Sequence, residues 1–196
     1  NAGQSLQASL EQMGKNLDYQ LRLYKKYMDV IGTSEEIQSL IFQNSFDPWK
    51  VETMIANNSL DNIMNSLFFP DGPPGMIALY KNSKFLYAFK SISVSTFKEL
   101  GNTEMYQADM LSEGGINVHT LFTVNSDTGL KHNYFVMGRR LLDRDKRDEH
   151  GFNAGVYLFI DEKYISDIFT TTSSKQTDSE MITNTSGKIL FNSNFN

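Results

Sequence analysis

The 196-residue chain contains no cysteine, one tryptophan and four prolines. The missing cysteines exclude disulfides, thiolate metal sites and a cysteine nucleophile, but they do not locate the protein. The longest apolar runs, such as AGVYLFI, fall far short of the roughly 18 residues a membrane span needs. No block of Lys and Arg is present and the net charge is −5, which argues against nucleic acid as a partner. The motifs of P-loop enzymes (G-x-x-x-x-G-K-[ST]), zinc peptidases (H-E-x-x-H) and nucleophile elbows (G-x-S-x-G) are absent, so catalysis has no visible foundation. No secretory leader is visible, and the opening Asn1-Ala2 without Met reads as the tail of a cloning scar on a piece of a longer protein.

What remains is ordinary globular material, 40% hydrophobic and 21% charged. Leu6, Leu10, Met13, Leu17, Tyr24, Tyr27 and Ile31 recur in alternating steps of four and three, with Gln20 in the one polar slot. Leu21 and Met28 widen the stripe. This predicts a helix from Ser5 to Ile31, about 40 Å long. Only Gly14 interrupts it. The near-heptad spacing suits packing on its own domain or a coiled coil with a second copy. Thr33 or Ser34 then caps a short helix bearing Ile37, Leu40 and Ile41. In FDPWK, Asp47 reads as a cap and Pro48 as a first helical residue, with Val51, Met54 and Ile55 following. Trp49 reads as core or a lobe contact. A further short helix carries Leu60, Ile63, Met64 and Leu67, and PDGPPG at 70–75 must turn the chain.

From Met76 the pattern becomes β. MIALYKNSKFLYAFK is a hairpin about Asn82-Ser83, placing Phe85, Tyr87 and Phe89 on one face. Residues 91–118 lack a clear period and read as a helix or two over the sheet. Two long strands follow around Asn125–Gly129, with Tyr134, Val136, Gly138 and Arg140 facing opposite Phe135, Met137, Arg139 and Leu141. After the charged loop RDKRDEHG comes a strand from Gly155 to Ile160. Asp161 then caps a helix bearing Tyr164, Ile165, Ile168 and Phe169. The sum is an α+β fold, a five-stranded antiparallel sheet with one face covered by helices.

This order resembles the Cache branch of PAS-like sensor domains, and more narrowly the extracytoplasmic region of YesM-type sensor histidine kinases. GRRLLD is similar to the family's Arg-hydrophobic-Asp strand ending. Gly155 to Ile165 matches its run of Gly, hydrophobics, Ile-Asp and an aromatic. SEMITNTSGKILFNSN looks like the hairpin that opens a second, membrane-proximal lobe. The resemblance implies a stem helix at 1–33, a membrane-distal PAS-like lobe at 34–170, and a linker with the first hairpin of an incomplete proximal lobe at 171–196. It also implies an extracytoplasmic input domain of a bacterial membrane receptor, joined to the membrane through flanking spans and working as a homodimer. It implies no catalysis and no cofactor. The family's amino-acid pattern, a Tyr, then Arg shortly before Trp-Tyr, and a downstream Asp, is not met after Tyr87, where the chain reads AFKSISVSTFKEL. The expected partner is therefore a small solute of the sugar or organic-acid class, or a solute-binding protein.

Candidate ligand-binding residues are Tyr87, Phe89, Phe122, Tyr134, Arg139, Tyr157 and Asp161. Each has a structural alternative. Arg139 shares a face with Phe135 and Met137, where an unpaired guanidinium is costly. It binds a ligand carboxylate or hydroxyls, or pairs with Asp161 or Asp143. Tyr87, Tyr134 and Tyr157 stack on a sugar or close a core. His119 and His132 can meet across a hairpin as metal ligands, or are ordinary polar positions. Asp143, Asp145 and Asp148 are interleaved with Arg144, Lys146 and Arg147 and read as a solvated hairpin tip, not a calcium loop.

Overall fold

The computed structural model describes residues 2–43, 47, 49–68, 75–90, 100–125, 131–142, 154–170, 181–183 and 189–192. Pro48, the turn at 70–74, the loop residues 126–129 and the charged segment 143–150 lie outside the described residues, as do the side chains of Leu6, Ile168 and Phe169. No described helix is long and apolar enough to cross a membrane.

The stem is one helix, α1 (Ala2–Thr33), which runs through Gly14 without a break. Met13, Tyr24, Met28 and Ile31 are its buried positions, whereas Leu10 lies exposed. Ser34, not Thr33, starts α2 (Glu35–Gln43): its hydroxyl accepts the Ile37 amide at 3.2 Å, while Thr33 turns back onto the Asp29 carbonyl.

The two helices expected over 47–67 are one, α3 (Val51–Leu67), entered through Lys50. Asp47 caps a tight turn, accepting from the Trp49 amide at 3.1 Å, and leaves Trp49 in solvent. The buried positions are Thr53, Ala56, Leu60 and Met64, at steps of three and four. That spacing carries the helix across Asn57-Asn58-Ser59, because apolar burial outweighs the weak helix propensity of those residues. It also turns Val51, Met54 and Ile55 outward, against expectation.

β1 (Gly75–Lys81) and β2 (Lys84–Phe89) form the expected hairpin. Asn82 and Ser83 both have positive φ, the geometry of a tight two-residue turn whose twist suits antiparallel strands. A bulge opposite Leu79 and Tyr80 leaves Leu86 as an extra residue. Tyr87 pairs with Leu79 but Phe85 with Tyr80. Phe85 is thereby moved to the face opposite Tyr87 and Phe89, correcting the simple alternation.

A 3-10 turn (Leu100–Asn102) and α4 (Glu104–Leu111) follow, α4 being capped by the Thr103 hydroxyl. β3 (Ile116–Asn125), β4 (Lys131–Leu141) and β5 (Ala154–Asp161) complete the sheet. Its order is β2-β1-β5-β4-β3 with every neighbour antiparallel, the α+β, PAS-like arrangement expected. α5 (Glu162–Thr170) leaves β5 directly, and the Asp161 carboxylate accepts the Lys163 amide at 2.8 Å. β6 (Met181–Thr183) and β7 (Ile189–Asn192) make a separate antiparallel pair.

Both faces of the sheet are covered. On one, Ile77, Leu79, Phe135, Met137, Val156, Leu158 and Ile160 meet α1, α2, α3 and Ile165 of α5. On the other, Met76, Ala78, Tyr80, Val136, Tyr157 and Phe159 meet Leu100, Tyr106 and Met110. The segment without a readable period therefore supplies a second layer.

Candidate functional site

The seven candidate residues divide between these two faces. On the stem side, Tyr87 donates to Asp61 Oδ1 of α3 at 2.5 Å, tying the edge strand to that helix. Burial keeps the proton on this phenol, and the adjacent Asp61 adds to the effect. Phe89 stacks on Phe68, whose ring also meets Tyr27 of α1 edge-on. Arg139 does find a carboxylate, but it is Asp29 of the stem helix and not Asp161. Its guanidinium also lies over Gly32, where a Cβ would come within 3.1–3.2 Å of it. A methyl there would oblige the arginine end to give by a few tenths of an ångström. Asp161 is exposed and serves as the α5 cap. The end of the neighbouring strand β1 is fastened by Lys81, which donates to the Ile41 and Phe42 carbonyls at the end of α2, both at 3.0 Å.

On the α4 side, Tyr157 joins Tyr80 and Tyr106 in a tyrosine layer. The Tyr157 ring meets Tyr80 edge-on at 5.4 Å and stacks on Tyr106 at 6.0 Å. Phe122 and Tyr134 gather instead around Phe159, at 6.0 and 6.2 Å. They reach the same strand level because a bulge in β3 between His119 and Phe122 pairs Phe122 with Tyr134. Tyr106 also holds the first hairpin, its hydroxyl accepting the Ser83 amide at 3.1 Å.

The chemistry of this face centres on Asp109 of α4, which is fully buried. Asn117 donates to its Oδ1 at 2.6 Å, and His119 Nε2 lies 2.9 and 2.8 Å from its two oxygens. Both acceptors being carboxylate oxygens, Nε2 carries the proton here. A buried carboxylate is tolerable only when its lone pairs are occupied in this way. Gly138 of β4 makes the space: a Cβ there would lie 2.1 Å from Asp109 Oδ2 and 2.7 Å from the Tyr157 ring. The Tyr157 hydroxyl is buried beside this carboxylate without a hydrogen bond. Burial first, and then Asp109, push its ionisation far upward. Arg140 Nε is likewise buried and unbonded.

Neither a family model nor a curated protein matches the sequence. Solved structures do. The chain is similar to the periplasmic domain of Vibrio cholerae LuxQ, at 14% identity and a TM-score of 0.52, over 96% of this chain and 78% of that one. A selenomethionine structure of the same domain gives 15% identity and a TM-score of 0.56, over 96% and 77%. The likeness is one of fold.

The sequence reading missed Asp109, Asn117, Tyr80, Tyr106 and Gly138. One signal was available in QADM at 107–110, where the carboxylate of Asp109 is flanked by Ala108 and Met110, but nothing nearby named its donors. His119 and His132 do not meet: His119 pairs with Val136 and His132 with Val124. Among the described residues no three His, Cys, Asp or Glu side chains are grouped to hold a metal.

Proposed function

We propose that this chain is the extracytoplasmic input domain of a membrane-bound sensor histidine kinase of the kind its sequence resembles. The observation that carries the reading is the attachment of a long stem helix to β4, the strand beside the central one of a PAS-like sheet, through Arg139, Asp29 and Gly32. A displacement of β4 is thereby delivered to the helix, and α5 leaves the neighbouring strand β5 without a loop. Residues 1–33 act as stem, 34–170 as the membrane-distal lobe and 171–196 as the start of a proximal one. The domain carries out no chemistry itself; phosphorylation belongs to a cytoplasmic part of the parent receptor, which works as a homodimer.

The input is received at the α4 side. Tyr134, Tyr157 and Phe122 lie in that layer, whereas Tyr87, Phe89, Arg139 and Asp161 serve the scaffold and the transmission. The layer is closely filled around Asp109, Gly138 and Tyr157, which favours a solute-loaded binding protein pressing on α4 over a free sugar or organic acid entering the sheet face. A thermal-shift screen separates these. Purified solute-binding proteins should raise the melting temperature by an amount that grows with concentration. A response to a sugar or acid alone transfers the role to a small ligand, and a flat result with both classes overturns the sensor reading.

A further inference from the structure

The two ends of the α4 segment are fastened to the fold in different ways. At its start, Gly101 of the 3-10 turn lies so near the first hairpin that a Cβ there would stand 1.9 Å from the Ser83 carbonyl oxygen. The Tyr106 hydroxyl accepts the Ser83 amide at 3.1 Å, and the Thr103 hydroxyl donates to the Leu100 carbonyl at 2.6 Å. Backbone contact fixes that end. The far end is held by the Asp109 carboxylate, which accepts from Asn117 and His119 of β3, and by Met110 lying over Gly155. Leu111, the last residue of the helix, is 86% exposed. Beyond it Gly114 has a φ of +85°, and a Cβ at Gly115 would meet nothing within 4 Å. The connection to β3 is therefore a permissive joint.

The docked position is also incompletely satisfied. Of the eight residues of α4, Tyr106 and Met110 alone are both apolar and buried, with Met105 half-buried. Asp109 brings a carboxylate out of water, a cost that its donors offset. Beneath the helix, the Tyr157 hydroxyl and Arg140 Nε are buried without a well-formed hydrogen bond. Tyr157 pairs with Gly138 under Asp109, and Arg140 pairs with Gly155 under Met110. All three groups regain partners in water once α4 lifts, which lowers the cost of lifting it. We infer that α4 is a strap, pivoting at the 3-10 turn and latched at its far end by Asp109, that swings off the sheet as a unit while the rest of the fold stays intact. Its release transmits contact on this side, because the latch residues Asn117 and His119 belong to β3. That role rests on the sensor reading above; the motion itself does not, and it is measured on the chain alone.

Because the chain has no cysteine, a single substitution installs a unique reporter thiol. Met110→Cys places it under the strap, and Val156→Cys places it in the stem-side core, both at buried positions. With dithiobis(nitrobenzoate) as the probe, the folded Met110→Cys chain should react at least about a hundredfold faster than the Val156→Cys chain. Adding Asn117→Ala should speed the Met110→Cys reaction at least about tenfold, since it removes a bond to the latch. Adding Ile37→Val, which loosens the stem-side core, should speed the Val156→Cys reaction about fivefold and leave the Met110→Cys reaction unchanged. Met110→Cys removes some of the strap's own packing, so amide exchange in the unsubstituted chain is the second measurement. There, residues 106–111 should exchange at least about a hundredfold faster than 156–160. Equal amide rates, or an equal response of both thiols to Ile37→Val, mean that α4 opens only with the whole fold and overturn the inference. A flat partner screen beside fast exchange in α4 removes the sensor role and leaves the strap.

Discussion

The two faces of the sheet are held by different physics. The stem side is an apolar layer closed by shape, with its polar contacts at the margins: Tyr87 on Asp61, Arg139 on Asp29, and Lys81 on the α2 carbonyls. The α4 side has its polar group at the centre, a fully buried aspartate fed by Asn117 and His119 and set among tyrosines. Packing by shape tolerates small volume changes at a modest cost. A buried charge depends on direction and distance, so it holds one arrangement and fails abruptly when that is lost.

The largest effect expected is at alkaline pH, where the faces should fail together. Tyr24 and Tyr87 on the stem side and Tyr80 and Tyr157 on the other hold their protons well above the ordinary phenol range, chiefly through burial. The folded form retains protons that the unfolded form releases, so stability is intact below about pH 10 and falls as pH rises past it. Each such tyrosine contributes a loss of up to about 1.4 kcal/mol per pH unit. Urea titrations from pH 8 to 11.5 measure this, and a flat profile would contradict the burial of these rings.

Two glycine substitutions separate the faces. Gly138→Ala drives a methyl into Asp109 and Tyr157, and should cost about 3 kcal/mol. Gly32→Ala meets only the movable end of Arg139 and gains helix propensity, so its net cost should stay below about 1 kcal/mol. Equal costs in chemical denaturation would erase the distinction drawn here.

A pair of tyrosines sharpens it further. Tyr87→Phe breaks the bond to Asp61 and should cost about 1 kcal/mol. Tyr157→Phe removes a buried hydroxyl that sits beside Asp109 without a well-formed hydrogen bond, so stability should change by less than about 0.5 kcal/mol. The smallest effect belongs to the stem attachment. Asp29 is mostly exposed, and Asp29→Asn should cost under about 1 kcal/mol while leaving the fold intact. Its signature should instead be faster hydrogen exchange in α1 near Ile31, the sign of a loosened coupling.

Much of the scaffold was legible from local pattern. Apolar steps of three and four marked α1, Asn82-Ser83 marked the hairpin, and Asp161 marked the passage from β5 to α5 without a loop. The candidate site was less so. Strand alternation placed Arg139 correctly beside Phe135 and Met137, but its partner lies on α1, 110 residues earlier in the chain. Phe85 was assigned to the wrong face because a single extra residue, Leu86, reverses the side on which its neighbours point. Trp49 was read as core or a lobe contact, and the tight turn at Asp47 leaves it exposed, which rules out the core.

By itself the sequence determined the order and kind of the elements, because periodicity, capping and turn chemistry act between residues close in the chain. Only the tertiary structure decided that α4 buries an aspartate against Gly138, which carboxylate receives Arg139, and which side of α3 stays in water. Those outcomes depend on groups brought together from distant segments, where a bulge or a missing Cβ changes the neighbour and local pattern carries no record of it.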